Sequence, residues 1–131
     1  MTDLAILVLR AGLGVMFTAH GFQMAFGMFG GPGVKGFSEM LFGLGFSSPL
    51  LMAYAAAYVV FIGGLCLIGG LFTRAASFLL IIFMLVAVAK VHLAKGFFMA
   101  NGGYEYNFVV ICGLLALLLT GPGSFSATKN L

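Results

Sequence analysis

Residues 49–72, PLLMAYAAAYVVFIGGLCLIGGLF, form an apolar run without a single charged side chain. A helix needs about 20 predominantly apolar residues to cross the hydrocarbon core of a bilayer. Ser47 and Ser48 precede the run and can cap its first amides, and Pro49 suits a first helical turn. The run therefore predicts a membrane-spanning helix.

Three further apolar blocks accompany this run, and together they predict helices over about 4–29, 49–72, 75–93 and 106–120. The last block gives only about 22 Å of helix, which is short for a span. Either this helix is tilted or sunk, or residues 96–105 fold partly into the membrane. We favour partial burial of that loop against the helices, because it is rich in aromatic residues and glycine.

The composition supports this interpretation. Of 131 residues, 63% are hydrophobic and only 7% are charged, whereas a soluble domain has about 25% charged residues. A water-soluble monomer and a disordered chain are excluded, and the scattered basic residues give no surface for nucleic acid. We therefore predict a single all-α domain over residues 1–131, an integral membrane four-helix bundle in contact with the lipid bilayer.

The loop between the first two blocks predicts a short helix of its own. Gly30-Gly31-Pro32-Gly33 is a turn cluster. After it, apolar residues recur at helical spacing, with polar residues between them. This pattern favours an amphipathic helix lying at the membrane interface over a binding lid. The apolar positions are Phe37, Met40, Leu41 and Leu44.

Four spans would place both termini on one side of the membrane. Basic residues are equally divided, with Arg10, Arg74 and Lys129 on the terminal side and three lysines on the other. The positive-inside rule therefore gives almost no preference for either orientation. Arg74, in the tight turn between the second and third blocks, favours termini in the cytoplasm.

Polar side chains gather at the end of the predicted bundle opposite the termini, where they are expected to face its interior or a wet cavity. We expect His20, His92 and Glu105 to converge there and to relay protons or hold a polar head group. The tyrosines would supply hydroxyl donors and flat walls for a ring-shaped ligand. The alternative is a structural network that ties the loop to the helices. The remaining candidates are Gln23, Tyr54, Tyr58, Lys90, Tyr104 and Tyr106.

A metal site is the less favoured interpretation of the two histidines, because they lie on different helices without a helical i,i+4 spacing. Arg10 lies near the termini instead. It either extends to the interface, caps the C-terminus of a helix, or binds an anionic group.

Several motifs, in this order and spacing, resemble the DoxX family from about Leu7 to Phe125. The most specific is Asn101-Gly102-Gly103-Tyr104-Glu105-Tyr106. The other matching stretches are Leu9-Arg10-Ala11-Gly12-Leu13-Gly14, His20-Gly21-Phe22-Gln23, Gly30-Gly31-Pro32-Gly33, Gly63-Gly64-Leu65, Gly70-Leu71-Phe72-Thr73-Arg74, His92 with Gly96-Phe97-Phe98, and Gly121-Pro122-Gly123.

The resemblance implies a small four-helix protein of the inner membrane. DoxX relatives are described as subunits of membrane-associated oxidoreductase complexes, some tied to thiol or oxidative-stress defence, and the related DoxD proteins belong to thiosulfate:quinone oxidoreductases. No flavin, haem or iron–sulfur motif occurs in this chain, so electrons would have to pass through a partner or through a bound quinone. The alternative is a non-enzymatic component such as a small-molecule transporter, a lipid-binding module or an assembly subunit. Catalytic activity and homo-oligomer formation are left open.

Two positions depart from the family pattern. Val60 stands where many members carry Glu, and Met24 stands where many carry Lys. If the two charges normally pair, losing both avoids leaving one of them unpaired in the membrane. An activity that needs this carboxylate is therefore in doubt for this chain.

Overall fold

The computed structural model describes residues 1–128, and every regular element in that range is helical. Lys129, one of the basic residues compared above, lies outside the described residues. The α-helices are α1 (Thr2–Phe26), α2 (Gly33–Gly43), α3 (Pro49–Gly69), α4 (Thr73–Ala87) and α5 (Glu105–Thr120).

Three helical segments are long and apolar enough to cross a membrane: α1, α3, and α4 with its continuation to Lys95. That continuation consists of a π-helical turn, Val88–His92, and a 3₁₀ turn, Leu93–Lys95. Helix α5 has 16 residues and is shorter. A fourth crossing therefore stays a prediction.

Glycines in the left-handed conformation end α1 and α3 before the apolar sequence runs out. Gly27 has φ 70° and Gly70 has φ 71°. Glycine adopts this conformation without the steric cost that a side chain brings. Helix α1 therefore ends at Phe26 and helix α3 at Gly69. The apolar pattern alone predicted ends at about 29 and 72.

Helices α1 and α3 pack backbone to backbone. A Cβ added at Gly14 would lie 2.8 Å from the Gly64 carbonyl oxygen, and one at Gly21 would lie 2.5 Å from the Phe61 Cα. Small residues permit this approach where lipid offers little hydrophobic drive. Gly12, by contrast, has no neighbour within 4 Å of its Cβ position.

The other helices complete the core around α3. Helix α4 packs against α3 and α5, while α5 also touches α1. The core between them contains the fully buried Leu67, Leu80, Leu114 and Leu117.

Helix α2 is present where the amphipathic pattern predicted a helix. It turns Phe37 and Leu41 onto Ala53 of α3. Its position relative to a membrane surface stays a prediction.

The beginning of α1 and the segment after α5 lie at the same end of the molecule. The Ser124 amide donates to Asp3 Oδ1 (3.2 Å), and the amides of Ala127 and Thr128 donate to the Gly69 and Gly70 carbonyls (3.2 Å each). The opposite end carries α2 and the connection between α4 and α5. That end holds most of the predicted site residues.

Candidate functional site

An apolar cavity of about 480 Å³ opens between α2, α3 and α4. Its volume is typical of small-molecule and cofactor sites. Lys90 and His92 are the charged or titratable side chains in its lining. The other lining residues are Phe37, Met40, Leu41, Leu44, Phe46, Met52, Ala55, Ala56, Val59, Leu79, Ile82, Phe83, Val86, Ala87 and Val91.

A second cavity of about 290 Å³ continues the first along α3 and α4. The two share Ala55, Val59 and Leu79, so we treat them as one groove. Its lining along α4 and the π-helical turn after it runs from Ala75 to His92, a distance of about 25 Å at the rise of an α-helix. The groove is thus elongated along α3 and α4, a shape that matches a chain-like ligand.

Lys90 and His92 lie in the π-helical turn that follows α4, at one end of this groove. Such turns inside helices are frequent at functional sites. Lys90 Nζ lies 5.4 Å from the centre of the Phe46 ring, within the range of a cation–π contact. The larger cavity therefore has one polar end, and its other lining residues are apolar.

The hydrogen bond of His92 defines its tautomer. Nδ1 lies 2.7 Å from the Gly102 carbonyl oxygen. Because a carbonyl oxygen only accepts, Nδ1 carries the hydrogen, and Nε2 of the neutral ring is left as an acceptor. Within residues 1–128 no hydrogen bond occupies Nε2.

The connection between α4 and α5 folds back on itself. The Tyr104 amide donates to Gly96 O (3.1 Å), and the Glu105 amide donates to Phe97 O (2.7 Å). Glu105 Oε1 accepts from the Met99 amide (3.0 Å). Glu105 is thus a structural tie of this loop, as in the alternative interpretation of the polar residues.

Ordering of the loop does not bury its apolar side chains. Phe97, Phe98 and Met99 are all exposed within the described structure. The Phe97 ring still contacts the Phe108 ring of α5, with ring centres 6.3 Å apart, and partial burial of the loop against the helices stays a prediction. The loop is ordered by its own backbone hydrogen bonds and by His92.

His20 is not hydrogen-bonded to the other two members of the expected cluster within residues 1–128. Its side chain is exposed on α1, and no hydrogen bond or ion pair in residues 1–128 joins it to His92 or Glu105. Gln23, one turn further, donates to the Phe29 carbonyl (3.3 Å). Over the same residues no three histidine, cysteine or acidic side chains lie close enough to hold a metal ion.

The four tyrosines are distributed over separate surroundings. Tyr54 and Tyr58 stack in parallel on the outer face of α3, with ring centres 6.3 Å apart and exposures of 48% and 38%. Tyr104 contacts the Phe97 ring edge to face, and the Tyr106 hydroxyl meets the sulfur of Met16 on α1. None of them lines the larger cavity with Lys90 and His92.

Arg10 is buried at the other end of the molecule. Its Nε donates to Leu67 O in the last turn of α3 (2.8 Å), and its two terminal nitrogens donate to Pro122 O and Phe125 O. The last carbonyls of a helix have no partner within that helix. Of the alternatives for Arg10, helix capping is the one seen, and the same side chain also fixes the segment after α5.

Val60 and Met24, the two departures from the family pattern, occupy one apolar region. Val60 is fully buried in the core, and Met24 packs against the same cluster. In this chain both positions thus contribute to packing.

Most residues of the groove wall were missed by the sequence interpretation, which looked for polar side chains. The available signal was the run Ala55-Ala56-Ala57 in α3. Ala57 is buried, whereas Ala55 and Ala56 line the groove. Small side chains beside a predicted amphipathic helix indicate where a cavity can open.

Comparison with known proteins identifies the family of this chain. The DoxX family profile matches residues 5–93. A protein of Bacillus subtilis (strain 168) named "Putative oxidoreductase CatD" is 31% identical over 135 residues, which cover 98% of this chain and 92% of that protein. No solved structure matches. Since the profile covers more than half of the sequence and the relative spans nearly all of it, the chain belongs to the DoxX family of membrane proteins.

Proposed function

We propose that this protein is an inner-membrane subunit of an oxidoreductase complex and that it binds a quinone in the groove between α2, α3 and α4. The groove is the observation that carries this proposal. The relative named as an oxidoreductase supports the redox setting. The family resemblance suggests thiol, sulfur or oxidative-stress chemistry for the complex.

The shape and chemistry of the groove suit a quinone with an isoprenoid tail. The apolar length along α3 and α4 accommodates a tail, and Lys90 at the polar end can donate to a quinone oxygen. Specific sites combine such apolar walls with a few polar groups that fix the orientation of the ligand. In this proposal a partner subunit supplies or accepts the electrons.

Filling the groove tests this assignment. Ala55 is exposed and lines both cavities, so Ala55→Phe places an aromatic ring where the tail would lie. Isothermal titration of the protein in lipid nanodiscs with a short-tailed ubiquinone analogue should show binding by wild type and at least about tenfold weaker binding by this variant. Ala19→Phe is the matched control, since Ala19 is exposed on α1 and does not line the groove.

A lipid-binding role without redox chemistry is the second candidate, and the same groove favours it. An acyl chain would fill the apolar length, and Lys90 would pair with an anionic head group. Mass spectrometry of lipids extracted from the purified protein, together with competition between phosphatidylglycerol and the ubiquinone analogue, separates the two. Quinone displaced completely by equimolar phosphatidylglycerol would contradict the redox assignment.

A further inference from the structure

We infer that the groove selects the reduced, hydroquinone form of its ligand, and that His92 makes this selection through Nε2. The inference rests on the proposed function and adds to it which redox form is bound more tightly. The hydrogen bond between His92 Nδ1 and the Gly102 carbonyl supports this inference.

That hydrogen bond leaves His92, a lining residue of the groove, with an acceptor nitrogen that we assign to the polar end. With Nδ1 donating to Gly102, the neutral imidazole presents a lone pair at Nε2. A hydroquinone hydroxyl can donate to this nitrogen. A quinone carbonyl offers only lone pairs, so the same position would bring two acceptors together and leave both unsatisfied.

Lys90 does not oppose this preference. Its ammonium group has only donors, and an oxygen of either the hydroquinone or the quinone can accept from it. Its position over the Phe46 ring places this charge at the same end of the groove as His92. Lys90 therefore strengthens binding of both forms, and discrimination falls to His92.

The loop after α4 holds the imidazole in place. Gly102 is fixed by its own amide, which donates to Met99 O (2.9 Å), and the Met99 amide donates to Glu105 Oε1 (3.0 Å). This chain of bonds explains why Glu105 contributes to the site although it does not line the groove. Glu105 and Gly102 act as positioning groups for His92.

The selection has a thermodynamic consequence. A site that binds the hydroquinone tenfold more tightly than the quinone raises the midpoint potential of the bound two-electron couple by about 30 mV. The bound couple would then be easier to reduce than the free couple. This property suits a site that accepts electrons from a partner.

Three closely related ligands test the inference. They are a short-tailed ubiquinol, the matching ubiquinone, and the dimethyl ether of the ubiquinol, which lacks the hydroxyl hydrogens. Affinities are measured anaerobically in nanodiscs, with the same buffer for all three ligands. Wild type should bind the ubiquinol on the order of tenfold more tightly than either of the others.

Two substitutions of His92 separate its nitrogens. In His92→Asn the side-chain amide occupies the place of Nδ1 and can still donate to Gly102, while Nε2 is removed, so the preference for ubiquinol should disappear. In His92→Gln an amide oxygen can reach the place of Nε2, so part of the preference should return. His20→Asn is the control, because His20 is exposed on α1 and forms no hydrogen bond in residues 1–128.

Each outcome decides between the two proposals. Equal affinities of wild type for the three ligands, or a full preference kept by His92→Asn, overturns the selection by His92 and leaves groove binding intact. Failure of wild type to bind any of the three overturns the proposed function itself. The comparison of ubiquinol with its ether uses wild type alone, so it decides the question even where a variant folds poorly.

Discussion

Arg10 shows how much a single side chain can organise in a membrane protein. A buried guanidinium is tolerated only when its donors are paired, and here three backbone carbonyls from two segments accept from it. The planar fork of Arg offers several donors in fixed directions, which an ammonium cannot reproduce. Arg10 therefore connects the end of α3 to the segment that follows α5.

Arg10→Lys should destabilise the protein although it keeps the positive charge. One ammonium cannot reach all three carbonyls, and hydrogen bonds to charged groups are worth about 1.5–3 kcal/mol each, so we expect a loss of roughly 2–4 kcal/mol. Thermal unfolding in detergent measures the loss of stability. Protease cleavage within the segment that follows Gly121 should also become faster. Lys35→Arg is the control, because Lys35 is exposed on α2 and its replacement should stay within about 0.5 kcal/mol of wild type. Equal stability of Arg10→Lys and wild type would contradict the capping role.

At the scale of elements, the contact between α1 and α3 fixes the frame on which the groove is built. Gly14 and Gly21 on α1 lie against Gly64 and Phe61 on α3. Helix α3 then presents Ala55 and Val59 to the groove on another face. A change in the spacing of α1 and α3 therefore disturbs the packing on the α1 side of α3. The groove wall on the other side of α3 is unchanged.

Gly21→Ala should weaken this helix pair, whereas Gly12→Ala should not. The new Cβ at position 21 would meet the Phe61 backbone at 2.5 Å, a contact that no side-chain rotation relieves, while position 12 has open space. Overpacking of this kind costs about 1–3 kcal/mol. Unfolding of both variants in detergent gives the comparison. A similar loss of stability in both would show that the close approach at Gly21 is not what holds the helices together.

At the scale of the whole molecule, hydrogen bonds bring both ends of the described chain to one end of the protein. Asp3 bonds to Ser124, and the turn between α3 and α4 bonds to Ala127 and Thr128. A chain whose ends share a side crosses a membrane an even number of times. Together with three long apolar helices, this arrangement favours α5 as the fourth crossing.

Cysteine labelling should therefore report one side for both ends. Thr2 and Ser126 are each replaced by Cys in a background in which Cys66 and Cys112 are replaced by Ser. Both new cysteines should react when a membrane-impermeant maleimide is added outside inside-out vesicles, whose outer face is the cytoplasmic one. Single cysteines at Glu39 and Lys95 should react from the other side, since these residues lie at the opposite end of the helices. Labelling of Thr2 and Ser126 from different sides would show that α5 does not cross.

Two of the polar residues that the sequence singled out, Lys90 and His92, line the groove. Lys90 and His92 could be placed at the end of one helix from the sequence, and both line the groove. The partner of His92 could not be deduced, because a loop carbonyl, that of Gly102, competes with every side chain in reach. His20 was expected in the same cluster from its depth in α1; no hydrogen bond joins it to His92 or Glu105 within residues 1–128, and its convergence with them stays a prediction.

The sequence by itself determined which segments are apolar helices and roughly where they end, because length, hydropathy and left-handed glycines such as Gly27 and Gly70 act locally. It could not determine which face of each helix is buried. Helix α3 is apolar on all sides, so it lacks the hydrophobic stripe that orients a helix in a soluble protein. Its apolar side chains are accommodated equally well by lipid and by the protein core. Only close packing in three dimensions decided that Ala57 and Val60 face inward, that Ala55 lines a groove, and that Arg10 meets the chain beyond α5.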